Sequence, residues 1–133
     1  MKQGSFSTDT GGMHLMNAGE FRDYCLSKKG TSESFPFDTV TMVIKVGSKM
    51  FTCFDINDQP LRVNLKCDPD LAPALRDRYG AVIPGYHMNK RHWNTVILDG
   101  SIPEDEVRLM IDDSYDLVFR GLPKAERDRI EKG

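Results

Sequence analysis

The residues of this sequence best equipped for chemistry lie in one stretch, Ile83-Pro84-Gly85-Tyr86-His87-Met88-Asn89-Lys90-Arg91-His92-Trp93-Asn94. It holds two of the three histidines, the single tryptophan and the adjacent cations Lys90 and Arg91, without one acid. Cations attract phosphate through counterion release, and aromatic or guanidinium planes stack on bases. Arg62 and Lys66 share one face of a predicted strand and extend this patch if that strand lies alongside. From Arg62 to Trp93 six Lys/Arg stand against three Asp, net +3, whereas Glu104 to Asp116 has six acids against Arg108, net −5. The formal charge of −2 over 133 residues and the pI of about 5.9 are therefore sums of opposites. The balance excludes the strongly basic profile of a dedicated nucleic-acid binder but leaves room for a local patch. The competing structural reading makes Trp93 a core anchor by its area and Lys90-Arg91 a solvated turn.

Other chemistries find less support. His87 and His92, five apart, fall on opposite faces of a continuous strand, and no Cys or acid in the segment completes a metal site. Cys25, Cys53 and Cys67 are odd in number and widely spaced, which suits reduced thiols in a cytoplasmic protein better than a disulfide or metal framework. Asp112, Asp113 and Asp116 read as a solvated helix face. There is no nucleophile elbow, P-loop or dinucleotide-binding glycine fingerprint. The expectation is a non-enzymatic protein without metal or cofactor, and no run is apolar enough to span a membrane.

The elements that must position the patch follow from periodicity. Asn17 with Glu20 forms a capping box before a helix carrying Phe21, Tyr24, Cys25 and Leu26, closed near Gly30. A linker, Ser34-Phe35-Pro36-Phe37-Asp38, precedes a strand over Val40–Val46, a Gly47-Ser48 turn and a returning strand over Lys49–Phe54. In Leu61–Cys67 the residues Arg62, Asn64 and Lys66 alternate with Val63, Leu65 and Cys67, one wet face and one buried. Asp68-Pro69 predicts the start of a helix with Leu71, Ala74, Leu75 and Tyr79 inward. A short extended piece from Ala81 to Tyr86, a strand over His92–Leu98 and a helix from Ser101-Pro103 to about Phe119 follow, the helix with Val107, Met110, Ile111, Ser114, Leu117 and Val118 inward. Residues 1–15 read as a disordered tail or extension, 16–122 as one domain, and 123–133 as a charged terminal helix or tail. The fold class is α+β, a two-layer antiparallel sheet with helices on one face, in the order α-β-β-β-α-β(-β)-α.

Several strings taken together resemble the MmcQ/YjbR family of small bacterial proteins. They are Phe21-Arg22-Asp23-Tyr24-Cys25-Leu26, Glu33-Ser34-Phe35-Pro36-Phe37, Lys45-Val46-Gly47-Ser48-Lys49-Met50-Phe51, Val63-Asn64-Leu65-Lys66-Cys67-Asp68-Pro69, the Ile83–Lys90 stretch, His92-Trp93-Asn94-Thr95-Val96 and Ser114-Tyr115-Asp116-Leu117-Val118. The resemblance spans about Met16 to Pro123. It implies a CyaY-like or secretion-chaperone-like fold and double-stranded-DNA binding, with no catalytic residue and no cofactor. Joined to the residue reading, it marks Arg62, Lys66, Tyr86, His87, Asn89, Lys90, Arg91, His92 and Trp93 as the expected DNA-contacting set. The alternatives are a protein- or peptide-binding adaptor, and a small-molecule site or enzyme built on Tyr86, His87 and Asn89.

Overall fold

A computed structural model describes residues 15–133 of the chain; the expected tail, apart from Leu15, lies outside them. The elements in chain order are α1 (Ala18–Leu26), β1 (Thr31–Ser34), β2 (Thr41–Val46), β3 (Lys49–Asp55), β4 (Leu61–Lys66), α2 (Ala72–Arg78), β5 (Val82–Pro84), β6 (Trp93–Leu98), α3 (Glu104–Arg120) and α4 (Lys124–Lys132). The six strands form one sheet in the order β1-β2-β3-β4-β6-β5, every pair antiparallel. The architecture is α+β, as the hairpin pattern predicts.

One face of the sheet carries the core. Met42, Ile44, Phe54, Val63, Leu65, Val96 and Leu98 point from it and are buried, as are Phe21 and Cys25 of α1 and Val107, Ile111 and Val118 of α3. Phe21 meets Phe54 edge-on at 5.2 Å, and Phe51 meets Tyr115 at 5.5 Å, the geometry the ring quadrupole favours. The Asn17–Glu20 capping box forms in full, with Glu20 N donating to Asn17 Oδ1 at 2.9 Å and Asn17 N to Glu20 Oε1 at 3.0 Å.

The elements depart from expectation in two places. Thr31–Ser34, absent from the predicted strands, is an edge strand paired with β2. Its TSES sequence is polar because only one neighbour and one partly covered face constrain it. The second helix starts at Ala72 and not at Pro69. Asp68 instead closes a turn, accepting from Leu71 N and Ala72 N on its carbonyl and from Asp70 N on Oδ1. Leu71 and Ala74 consequently stay exposed, and Ala72 is the buried residue of α2. Helix α4 is fastened to the β2–β3 turn, because Glu126 accepts from both Ser48 N and Ser48 Oγ at 2.8 Å. Gly47, with φ +57°, leaves no room for a Cβ there, since one would lie 2.7 Å from Glu126 Oε1.

Strand β3 carries a bulge. Its pairing with β2 steps from Ile44↔Thr52 to Lys45↔Met50, which leaves Phe51 as the extra residue. The β3–β4 pairing ends at Thr52↔Leu65, so Phe51 C=O and Lys66 N–H have no ladder partner in each other. Ser114 of α3 fills the gap. Its Oγ accepts from Lys66 N at 2.8 Å and donates to Phe51 O at 2.6 Å.

Acid–base behaviour follows from this packing. Burial pushes the Cys25 thiol from an ordinary 9.0 up to about 12. Burial, reinforced by the 2.7 Å bond to Asp112, raises Tyr24 from 10.0 to about 12. Both folded values lie above the unfolded ones. The stability they carry is full below the unfolded values and is lost as pH rises toward about 12. Denaturant unfolding followed upward from the ordinary Cys value of 9.0 should show a steady fall, shallower in Cys25→Ala. A flat wild-type profile would contradict this. Asp112 itself departs from the expected solvated face, for it also accepts from Lys28 Nζ at 2.5 Å.

Candidate functional site

The opposite face of the sheet is not covered by α1, α2 or α3, and strand register writes its central row. Ser34 pairs with Val43, Val43 with Cys53, Cys53 with Asn64, Asn64 with Thr95, and Thr95 with Ile83, one residue from each of the six strands. Polar side chains link the middle of that row. Thr95 Oγ1 donates to Asn64 Oδ1 at 2.6 Å, Asn64 Nδ2 to Cys53 Sγ at 3.5 Å, and Tyr86 N to Thr95 Oγ1 at 2.9 Å. Burial holds the Cys53 thiol above its ordinary range, against the pull of the Asn64 bond.

Over this floor lies a groove of about 500 Å³, within the usual range of ligand sites. Phe37, from the β1–β2 connection, borders it on one side, and Tyr86, His87 and Met88, from the β5–β6 connection, on the other. Phe37 is 75% exposed and Tyr86 66%, unusual for large aromatic side chains with nothing against their outer faces. The fixed charges bordering the groove are Asp55, Asp58 and Arg62. Arg62 is engaged by Asp58, through Nε at 3.4 Å and Nη2 at 3.3 Å, and these bonds raise its pKa.

The β5–β6 connection is tightly built. Met88 N donates to Gly85 O, which places His87 at the third position of a turn with φ +60°. That conformation favours glycine or asparagine and costs a histidine roughly 1–3 kcal/mol. Gly85 is required because a Cβ would lie 2.9 Å from Trp93 Cβ and from Trp93 O. Further along, Asn89 O accepts from His92 N and Trp93 N, and Asn89 Oδ1 from Arg91 N at 3.0 Å. Arg76 of α2 braces the loop from the core side, donating to Asn94 Oδ1 at 2.7 Å and to Lys90 O. The aromatic rings of Tyr86 and His87 sit 4.0 Å apart.

The nine expected contact residues thus separate into three groups. Arg62, Tyr86 and His87 border the groove. Lys90 and Arg91 stand exposed on the loop beyond it, and Lys66, half-buried at the end of β4, pairs in register with Trp93. Asn89, His92 and Trp93 build the loop, Trp93 half-buried as an anchor. Lys66, Lys90 and Arg91 have no ion pair with an acid among the described residues, although Asp113 borders the same small recess as Lys66. Cys67, expected inward with Val63 and Leu65, lies just past β4 and is half-buried, its N–H donating to His92 O. Phe37, Met50, Cys53 and Thr95 are groove residues that the sequence does not single out. No group of three or more His, Cys, Asp or Glu suited to a metal occurs among the described residues.

The sequence model of the YjbR family matches residues 26–117. The chain belongs to the YjbR family. Among YjbR relatives, the uncharacterised protein YjbR of Escherichia coli strain K12 is 36% identical over 113 residues, covering 84% of this chain and 95% of that protein. The uncharacterised protein YbdF of Escherichia coli O157:H7 is 37% identical over 100 residues, covering 74% and 81%. The crystal structure of Deinococcus radiodurans protein DR2400 superposes on this YjbR fold with a TM-score of 0.82 at 38% identity, covering 88% of this chain and 89% of that one. A Pseudomonas syringae crystal structure gives 0.68 at 30% identity, covering 77% and 99%.

Proposed function

We propose that this YjbR-family protein is a non-enzymatic, cytoplasmic DNA-binding module that holds double-stranded DNA weakly, by its phosphates, through Lys66, Lys90 and Arg91. The carrying observation is that these three cations lie on the β5–β6 loop or at the β4 end that pairs with Trp93, and none of them has an ion pair with an acid among the described residues. A further support is that α3, which carries Glu104, Asp105 and Glu106 in its first turn, packs on the core face of the sheet. The acids of that first turn are therefore offset from the open face, while Asp113 further along α3 borders the recess that Lys66 shares.

The contacts also set the strength. Three phosphate contacts give a log–log salt slope of about −2.7, so a fourfold rise in salt weakens binding about 40-fold. Fluorescence anisotropy with a labelled duplex at about 50 and 200 mM salt measures this directly. Absence of binding at tens of micromolar protein in the lower salt, or binding indifferent to salt, overturns the reading.

A further inference from the structure

We infer that the groove on the open sheet face receives an unstacked nucleobase, so that the protein prefers DNA with an unpaired nucleotide over a perfect duplex. The inference rests on the nucleic-acid reading and adds a second site to it. Three observations select this occupant. First, the walls are aromatic and come from different connections, Phe37 on one side and the Tyr86–His87 pair on the other; flat aromatic faces stack on any base. Second, the floor is uncharged, with Asn64 and Thr95 as a polar strip between Cys53 and Ile83. The Asn64 carboxamide uses Oδ1 on Thr95 and makes only a long 3.5 Å contact to Cys53 Sγ through Nδ2, leaving amide donor capacity for a base edge.

Third, charge is distributed as a nucleotide needs it. The groove itself has Asp55 and Asp58 against one already paired Arg62, which repels phosphate. Lys90 and Arg91 lie on the same loop as Tyr86 and His87 but do not border the groove. A base can enter while its phosphates stay outside on those cations. The groove volume of about 500 Å³ admits such a ligand. His87 held at φ +60° is a strained residue at the mouth of this site, where strain most often accompanies binding.

The test compares three labelled probes of one sequence at about 50 mM salt: a perfect duplex, the same duplex with one bulged purine, and the single strand. The bulged and single-stranded probes are expected to bind roughly tenfold or more tightly than the duplex. In Tyr86→Ala that advantage should vanish. Because Tyr86 is 66% exposed, the variant keeps its fold, which circular dichroism verifies. A 2-aminopurine at the bulge should change fluorescence with wild type and not with the variant. Equal affinity for bulge and duplex with salt dependence intact, or an advantage that survives Tyr86→Ala, overturns the groove inference and leaves the phosphate reading standing. Binding to none of the probes overturns both.

Discussion

Replacing Lys90 and Arg91 together by glutamate is expected to abolish duplex binding at low salt, a loss of about 100-fold or more. Two phosphate contacts disappear, and two negative charges then oppose the backbone at the same points. Any residual binding should have a salt slope shallower by about 1.8, since each lost contact removes about 0.9. The fold is not at risk, because the loop is held by backbone and not by these side chains. Arg76 grips Lys90 through its carbonyl, and Asn89 Oδ1 takes Arg91 through its N–H. Arg62→Glu is the contrasting case. Its guanidinium is already bonded to Asp58, so its removal should cost far less duplex affinity. The double variant changes the net charge by −4 and Arg62→Glu by −2, so a log-scale loss in Arg62→Glu half that of the double variant would show that net charge alone governs binding, with no localised patch.

Ser114→Ala is expected to destabilise the protein by about 2–4 kcal/mol, read as a shift of the urea midpoint without a change in slope. One hydroxyl satisfies two backbone groups that the β3 bulge leaves without each other, Lys66 N–H and Phe51 C=O. Ser114 is fully buried, so water does not replace it without opening α3 from the sheet. Each unsatisfied buried group costs about 1–3 kcal/mol. Ser114→Thr retains the hydroxyl but adds a methyl to a closed site, and should lose part of the same stability through overpacking. A midpoint unchanged in Ser114→Ala would mean the bulge relaxes by itself. Since Lys66 belongs to the proposed phosphate contact, the same variant links the core to the function.

What could be read from the sequence was local. The Asn17–Glu20 box, the alternation in β4 and the inward stripe of α3 are determined by residues three or four apart, or two apart in a strand, and they appear as expected except that Leu117, placed in the α3 stripe, is only half-buried. Strand β1 was not legible because an edge strand with one neighbour needs no apolar pattern. The start of α2 at Ala72 is not legible because Asp68-Pro69 suits a turn as well as a helix entry. The candidate site divides along the same line. Lys90, Arg91, Tyr86 and His87 are contiguous and stood out. Cys53, Asn64 and Thr95 come from three strands and meet only through register, which no short window of sequence contains. Asn64 was visible on the wet face of β4, but nothing local showed that Thr95 would lie beside it. Nor was it visible that Asp58 would take Arg62 out of the patch.

Nucleic acid is proposed to meet the open sheet face and the loop between β5 and β6. Amide chemical-shift mapping of the 15N-labelled protein, titrated with the bulged duplex, tests it most directly. Shifts confined to Phe37, Cys53, Asn64, Lys66, Tyr86–Trp93 and Thr95, with α1 and α3 unmoved, are the predicted result. Shifts centred on α3 or α4, or no shifts at all, would contradict it.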